Sequence, residues 1–162
     1  MPALVTIRKG PFRDISKVRV RRWAERMLRC LGLAEAELSV ALTDDEEIHE
    51  LNRVFRRHDR PTDVLAFAMR EGTAGARPVG DEARSCPDLL GDVVVSVETA
   101  RRQATRAGRD LASELRALLA HGLLHLVGYD HQTKAEARAM VAETRRLCRA
   151  AAADERAVRV RR

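Results

Sequence analysis

The chain has 162 residues, a formal net charge of +6 and a pI near 10.0. This length suits one compact domain, and no apolar stretch is long enough to predict a membrane span. One Trp, one Tyr and three Phe residues are too few for the RNA-binding modules that stack bases on rows of exposed rings, so any RNA contact is expected to depend mainly on charge.

The basic residues are concentrated at the two ends of the chain. Residues 1–30 contain nine Lys or Arg residues and two acidic ones, and residues 154–162 contain four arginines. An arginine guanidinium matches the geometry of phosphate oxygens, which predicts a phosphate-rich partner such as RNA. A biased genomic base composition would enrich arginine in the same way, and both origins of the arginine excess stay open.

The cysteines and the N-terminal sequence indicate a cellular compartment. Cys30, Cys86 and Cys148 are widely spaced and form no C-x-x-C pair, which argues against a disulfide framework and against a thiolate metal site. The N-terminal residues do not form a signal-peptide pattern. We therefore expect a cytoplasmic protein with no membrane partner.

Hydrophobic spacing predicts four elements in the first 61 residues. They are a short strand at 4–7, a helix at 15–31 closed by Gly32, a strand at 38–42, and a second helix that carries Ile48, Leu51 and Phe55. Thr43 and Glu46 have the spacing of a capping box, so we expect Thr43 to cap the second helix and Pro61 to end it.

The second half of the chain continues the alternation of strands and helices. We expect strands at 64–69 and 89–97, a glycine- and proline-rich loop at 71–88, and helices at 97–107, at 110–127 and from 133 onward. Ser96 is the expected cap of the first of these helices, and Gly128 is the expected left-handed residue at the end of the second. Thr133 and Glu136 predict a capping box for the third.

About four strands and five helices, in both hairpin-like and helix-linked order, predict an α+β fold. The sheet should be small, mixed and four-stranded, packed with about five helices. We expect a single domain over residues 1–153 and a basic, mobile tail over residues 154–162. The order of the strands does not follow from the sequence.

Three of the five histidines lie in the string HGLLHLVGYDH, which runs from His121 to His131. Residues four apart on a helix project side by side, so His121 and His125 can bind one metal ion. After Gly128 the chain can turn back and bring His131 to the same ion. Three imidazoles and no thiolate leave one position of a tetrahedral zinc open for water, which is typical of a hydrolase site rather than a structural one.

The same three histidines are also compatible with a buried hydrogen-bonded cluster or with a structural metal clip, and neither arrangement is excluded by the spacing. The spacing is similar to that of the long zinc-protease motif, but Gly122 stands where the proteases have their glutamate general base. A peptidase is therefore disfavoured. Asp130 is either a carboxylate that orients an imidazole of the site or a turn residue.

The string HGLLHLVGYDH resembles the signature of the YbeY family of bacterial endoribonucleases. Two further stretches resemble the same family in the same order, LNRVFRRHDRPTDVLAF at 51–67 and LLGDVVVS at 89–96. Together the three stretches cover much of residues 51–131. The N-terminal third of the chain is similar to the family only in pattern.

This resemblance implies a single-strand-specific, metal-dependent endoribonuclease that acts in 3′ end maturation of small-subunit ribosomal RNA and in ribosome quality control. It implies one zinc ion per chain on His121, His125 and His131, and the ribosome or its proteins as further partners, with no DNA partner. Arg56 matches the family's arginine in its R-G-x-D-x-P-T string. That arginine could clamp the scissile phosphate, or it could be a surface arginine at a helix C-terminus.

Three positions depart from the family pattern. Arg57 replaces the usual glycine, Ala66 stands where the family often has serine, and Ala68 replaces a proline. The missing hydroxyl at position 66 removes one possible hydrogen bond to the substrate. Activity or specificity is therefore expected to differ from that of typical members.

Two competing functions remain beside the endoribonuclease. One is a non-catalytic ribosome-assembly factor that binds rRNA and holds a structural zinc, and the other is a zinc peptidase. Removal of a structural zinc should unfold the protein, whereas removal of a catalytic zinc should leave the fold largely intact.

Overall fold

The computed structural model describes residues 3–69 and 89–160, so the loop predicted at 71–88 lies outside the described residues. The elements are β1 (Ala3–Ile7), α1 (Lys17–Cys30), β2 (Glu37–Thr43), α2 (Asp45–Arg56), β3 (Val64–Ala68), β4 (Leu89–Ser96), α3 (Val97–Ala107), α4 (Leu111–Leu126) and α5 (Lys134–Val160). Within the described ranges these four strands and five helices confirm the predicted α+β fold. In the same ranges, no helix has the length and apolar character needed to cross a membrane.

The four strands form one mixed sheet in the order β1-β2-β4-β3. β1 pairs with β2 and β2 pairs with β4 in parallel, whereas β3 and β4 are antiparallel. Parallel neighbours need a long crossover connection, and α1 supplies it between β1 and β2 while α2 and β3 lie between β2 and β4. This arrangement leaves β3 at one edge of the sheet.

The two faces of the sheet are covered unequally. On one face, α1, α4 and α5 enclose the main core, in which Val93 and Val95 of β4 lie with Leu119, Leu123 and Leu124 of α4. On the other face, α2 covers only part of the sheet, through a small cluster of buried residues that consists of Ile48, Leu65 and Val94. Side chains alternate along β3, so Leu65 and Phe67 face α2 while Val64, Ala66 and Ala68 face α4.

Two predictions about the ends of α2 are wrong. The cap is Asp44, whose Oδ1 accepts a hydrogen bond from the Glu47 N–H at 2.9 Å, while Thr43 is the buried last residue of β2 and pairs with Ser96. The first turn of α2 begins at Asp45, so the capping position is residue 44, and Thr43 lies one residue too early to accept from the Glu47 N–H. The helix ends at Arg56, before Pro61, because Arg57 adopts a left-handed conformation with φ 58°.

The capping predictions for the last three helices are confirmed. The Ser96 hydroxyl accepts from the Thr99 N–H at 3.3 Å at the start of α3, and Gly128 has φ 100° just after α4. At the start of α5, Thr133 and Glu136 form the reciprocal capping box, with bonds of 3.1 and 3.3 Å. Each of these signals involves residues within four positions of one another, which is why the sequence reveals them.

Helix α5 is continuous across residue 153, where we expected the domain to end. The Glu155 carboxylate accepts hydrogen bonds from Arg19 of α1, from the Trp23 indole at 3.0 Å and from Arg116 of α4 at 3.3 Å. These bonds join one residue of the predicted tail to two helices of the core. The boundary at residue 153 stays a prediction.

Candidate functional site

The first two histidines lie near the C-terminal end of α4. Asp110 caps this helix through a 2.8 Å bond from the Ser113 N–H, and its leucines pack into the main core. His121 and His125, one turn apart, are therefore left half-buried at the border of the core. Their Nε2 atoms lie 3.1 Å apart, and their ring centroids lie 4.7 Å apart.

The turn after α4 brings the third histidine back toward the first two. Gly128 adopts a left-handed conformation, and the Tyr129 N–H donates to the Leu124 carbonyl at 3.0 Å, which reverses the chain. The His131 ring centroid lies 5.7 Å from that of His125 and 6.3 Å from that of His121. The three rings thus converge, and the His131 side chain is the most open of them, with 61% of its surface exposed.

Asp130 contacts both the side chain and the main chain of His131. Its Oδ1 atom lies 3.7 Å from His131 Nδ1 and accepts a hydrogen bond from the His131 N–H at 2.7 Å. The first contact suits a carboxylate that orients the imidazole, and the second suits a turn residue. The role of Asp130 stays a prediction.

The electrostatic surroundings favour neutral imidazoles at the two helical positions. Burial is the main cause that lowers the pKa of His121, and the neighbouring His125 and His131 add to it while Asp63 opposes it. Burial also lowers the pKa of His125, with further lowering by His131 and Arg56 and opposition from Asp130. A neutral imidazole keeps a nitrogen lone pair free, and this is the form that binds metal ions.

The geometry of the three histidines is that of a close pair with a third ring nearby. Across residues 3–69 and 89–160, no group of three or more His, Cys, Asp or Glu side chains is arranged as a complete cation site. The 3.1 Å contact between the Nε2 atoms of His121 and His125 is also a possible hydrogen bond between two neutral rings. The pair can therefore share a proton or hold a cation, and its geometry is compatible with either.

Arg56 and His125 line the same cleft at the edge of the sheet. The cleft has a volume of about 340 Å³, and it is lined by Arg56, His58, Val64, Leu65, Ala66, Ala68, His125 and Leu126. The Arg56 guanidinium donates to the Ala66 carbonyl, and its Cζ lies 5.3 Å from the centroid of the Phe67 ring. A helix-end arginine is thus fixed on the edge strand, beside the histidines.

Asn52 is a residue of the site region that sequence reasoning missed. It is 4% exposed, and its Nδ2 donates to the Arg60 carbonyl at 2.8 Å, while the Asn52 carbonyl accepts from the His58 N–H at 3.2 Å. These bonds hold the turn that follows Arg56 and that carries His58 into the cleft. An amide on the buried side of α2, four residues after Ile48, was the signal that could have revealed it.

The three departures from the family pattern lie at or beside this cleft. Ala66 and Ala68 line it, at the positions where the family pattern described above often has serine and has proline. Arg57 occupies the left-handed position that ends α2, a conformation that glycine adopts at much lower cost. The missing glycine therefore affects the backbone next to Arg56 rather than the lining of the cleft.

Gly122 faces the sheet. A Cβ atom at this position would lie 2.7 Å from Val93 Cγ1 and 3.1 Å from Val64 Cγ2. The helix can approach β3 and β4 this closely only because residue 122 has no side chain. A glutamate at the protease position would meet the sheet, which strengthens the argument against a peptidase.

Several basic residues of the N-terminal third are already in ion pairs. Arg8 pairs with Glu47, Arg19 with Glu155, and Arg21 lies 3.9 Å from Glu25. Part of the positive charge in this region is therefore neutralised within the protein. Its use for RNA binding stays a prediction.

The family model of endoribonuclease YbeY matches residues 8–152. The chain belongs to the endoribonuclease YbeY family. The match extends the resemblance seen at 51–131 into the N-terminal third and confirms the family predicted from the sequence. The matched region includes the three histidines and Arg56, and the family is named for an endoribonuclease.

Individual YbeY relatives give the same assignment. Endoribonuclease YbeY of Aquifex aeolicus (strain VF5) is 44% identical over 133 residues, which cover 82% of this chain and 79% of the relative. Endoribonuclease YbeY of Synechococcus sp. (strain JA-2-3B'a(2-13)) is 48% identical over 128 residues, which cover 78% of this chain and 77% of the relative. The solution structure of TM1509 from Thermotoga maritima has a TM-score of 0.62 and 24% identity over 95% of this chain and 93% of that one, which supports the fold alone.

Proposed function

We propose that this chain is a single-strand-specific, metal-dependent endoribonuclease with one zinc ion held by His121, His125 and His131. The family match supports cleavage of RNA. The metal site is supported chiefly by one observation, the 3.1 Å separation of two imidazole nitrogens beside a cleft that also contains Arg56. The hypothesis of a binding protein without catalysis has no comparable support.

The donor set fits a zinc ion. Two nitrogens that each lie about 2.0 to 2.1 Å from one tetrahedral ion are themselves about 3.3 Å apart, close to the 3.1 Å between His121 Nε2 and His125 Nε2. His131 is exposed and follows a glycine turn, so its ring has room to rotate toward the pair. When bound, zinc supplies a Lewis acid that polarises water or a phosphoryl oxygen.

Arg56 is the residue that would bind the scissile phosphate. Its guanidinium has donors beyond the one that bonds the Ala66 carbonyl, and the Phe67 ring restricts its orientation. A planar guanidinium that is held in place can donate two parallel hydrogen bonds to phosphate oxygens and stabilise negative charge that develops there. Since Ala66 and Ala68 add no donor side chains to the cleft, the phosphate would depend on Arg56 more strongly than in relatives with serine at position 66.

The first test is cleavage of a labelled single-stranded RNA by the purified protein. We expect cleavage that stops with a chelator, returns on addition of zinc, and is lost in His125→Ala. His49→Ala is the matched control, because His49 is a partly exposed histidine of α2 that does not line the cleft. Equal cleavage by all samples would indicate a contaminating nuclease and would defeat the proposal.

The second test separates a catalytic from a structural zinc. Elemental analysis of the purified protein should find about one zinc per chain, and His125→Ala should lower that ratio. Circular dichroism should change little when a chelator removes the metal. Structural zinc supplies roughly 10 to 16 kcal/mol of apparent binding energy in small domains, so unfolding on chelation would favour the ribosome-assembly factor instead.

The third test addresses Arg56. Arg56→Lys keeps the charge but loses the planar fork, and we expect kcat/KM for RNA cleavage to fall by about 100-fold. Arg53→Lys is the matched control, since Arg53 lies one turn earlier on α2 and pairs with Glu50. Equal activity of the two variants would show that Arg56 is a surface helix-end arginine.

The cellular role that we propose is 3′ end maturation of small-subunit rRNA and ribosome quality control, in the cytoplasm and with the ribosome or its proteins as partners. It is supported by the family resemblance alone. Cells depleted of the protein should accumulate small-subunit rRNA with unprocessed 3′ ends. Normal 3′ ends would contradict this role and leave the endoribonuclease activity untouched.

A further inference from the structure

A second cavity lies on the opposite face of the sheet from the histidine cleft. Its volume is about 440 Å³, which is within the range of small-molecule sites. Its floor includes Ser39, Asp92 and Phe67, which are neighbours in register on β2, β4 and β3, and α2 contributes Phe55 to its wall. Of these residues only Phe67 has a role in the cleavage proposed above, since its ring restricts the orientation of Arg56.

Two aromatic rings meet at this cavity. Phe55 is 63% exposed, and its ring centroid lies 5.5 Å from that of Phe67 in an edge-to-face arrangement. An exposed phenylalanine held against a second ring is a platform on which a flat ligand can stack. Nucleic-acid bases stack on such rings whatever their sequence, because every base has a π-face.

The polar groups of the cavity suit a base. Arg8 also lines the cavity, but its guanidinium is already paired with a glutamate of α2. Asp92 presents a carboxylate between Ser39 and Phe67, where it would repel a phosphate but accept hydrogen bonds from N–H groups. Guanine has two adjacent N–H donors on one edge, which can both bond a single carboxylate. The hydroxyls of Ser39 and Thr6 can donate to or accept from the remaining edge of the base.

Arg56 connects this cavity to the histidine cleft. It lines the cleft and donates to the Ala66 carbonyl, and its Cζ lies 5.3 Å from the centroid of Phe67, which lines the cavity. Successive side chains of a strand point to opposite faces, so Ala66 faces the cleft while the next residue, Phe67, faces the cavity. Because β3 is an edge strand, no further strand separates the two sites on that side. An RNA strand that crosses this edge can hold its phosphate at Arg56 and place a neighbouring base in the cavity.

We propose that the cavity is a nucleobase subsite, which binds a guanine next to the scissile phosphate of single-stranded RNA. Phe55 stacks on the base, and the Asp92 carboxylate accepts hydrogen bonds from the two adjacent N–H donors of the guanine. This inference rests on the proposed function, since it names a sequence preference for the same substrate. Helix α2 would then position two residues that contact the RNA, Arg56 at its last position and Phe55 one residue earlier.

Binding, measured separately from cleavage, tests the subsite. Fluorescence anisotropy in the presence of a chelator compares a uridine heptamer with the same heptamer that carries one central guanine. We expect the wild-type protein to bind the guanine-containing RNA at least about fivefold more tightly, Asp92→Asn to lose this preference, and Phe55→Ala to weaken binding of the guanine-containing RNA by about fivefold or more. Two controls should bind as the wild type does: Val54→Ala, at a similarly exposed neighbour on α2, and Glu35→Gln, at an exposed carboxylate before β2.

If both Asp92→Asn and Phe55→Ala keep the wild-type affinity and the wild-type preference for guanine, the inference is overturned. An equal loss of affinity for both RNAs in Asp92→Asn would also overturn it, because the effect would then be independent of the base. Should Asp92→Asn fail to fold, Phe55→Ala against Val54→Ala decides alone. Guanine preference without any cleavage would reject the proposed function but keep the subsite. Cleavage without guanine preference would support the proposed function and reject the subsite.

Discussion

The Nε2 atoms of His121 and His125 lie 3.1 Å apart, one turn from each other on α4 and half-buried at the border of the core. Such proximity is unfavourable for two protonated rings, and burial disfavours the charged form of each. The protein therefore holds two neutral imidazoles in a geometry that suits a shared cation. The same feature makes the stability of the protein depend on pH.

The metal-free protein is expected to lose stability as the pH falls below about 6.5. Unfolded histidines titrate near 6.5, and the folded protein lowers the pKa of His121 and of His125, chiefly by burial. The unfolded chain then binds more protons than the folded chain, so the free energy of unfolding decreases as the pH falls from 6.5 through the lower folded pKa values. Urea unfolding between pH 8 and 5 in the presence of a chelator measures this dependence. In the double variant His121→Gln/His125→Gln the free energy of unfolding should depend less steeply on pH. An unchanged slope would show that these two histidines do not cause the dependence.

Arg57→Gly is expected to raise the free energy of unfolding by about 1 kcal/mol, because glycine adopts the left-handed conformation at residue 57 without strain. Gly108→Ala is the matched reverse change. Gly108 ends α3 with φ 63°, and nothing lies within 4 Å of an added Cβ, so backbone strain alone should destabilise that variant by a similar amount. Urea or thermal unfolding of both variants checks the pair. A destabilised Arg57→Gly would show that the Arg57 side chain contributes more than its backbone costs.

Gly122→Ala is expected to destabilise the protein by about 1–3 kcal/mol and to reduce RNA cleavage. The new methyl group would lie 2.7 Å from Val93 Cγ1, so α4 must move away from the sheet and shift His121 with it. Val93→Ala should relieve this clash, so the double variant should lose less stability than the sum of the two single variants. Additive losses would mean that α4 accommodates the methyl group elsewhere.

A chain that ends at Ala153 is expected to be less stable than the full chain by about 1–3 kcal/mol. It lacks Glu155, whose carboxylate joins α5 to Arg19, Trp23 and Arg116. A chain that ends at Val160 keeps Glu155 and serves as the control, and Glu155→Gln in the full chain should reproduce part of the loss. Equal stability of the two shortened chains would instead support the mobile tail expected from the sequence.

Most of the fold could be predicted from the sequence where the signals are local. Ser96, Gly128 and the Thr133–Glu136 pair were recognised as helix ends because their hydrogen bonds close within one turn. The cap of α2 is Asp44 rather than the predicted Thr43, because adjacent residues with capping side chains compete and the residue at which the helix starts decides between them. The side-by-side projection of His121 and His125 likewise follows from helical spacing alone.

The sequence by itself determined the α+β class, the capping residues of the last three helices and the candidate metal ligands, since each depends on residues close together in the chain. Only the tertiary structure decided the strand order, the packing of Gly122 against Val93, and the place of Arg56 between the Ala66 carbonyl and the Phe67 ring. These features depend on contacts between atoms that are distant in the chain. Such contacts form only when the helices close over the two faces of the sheet, and no local pattern specifies which residues then meet at its edge.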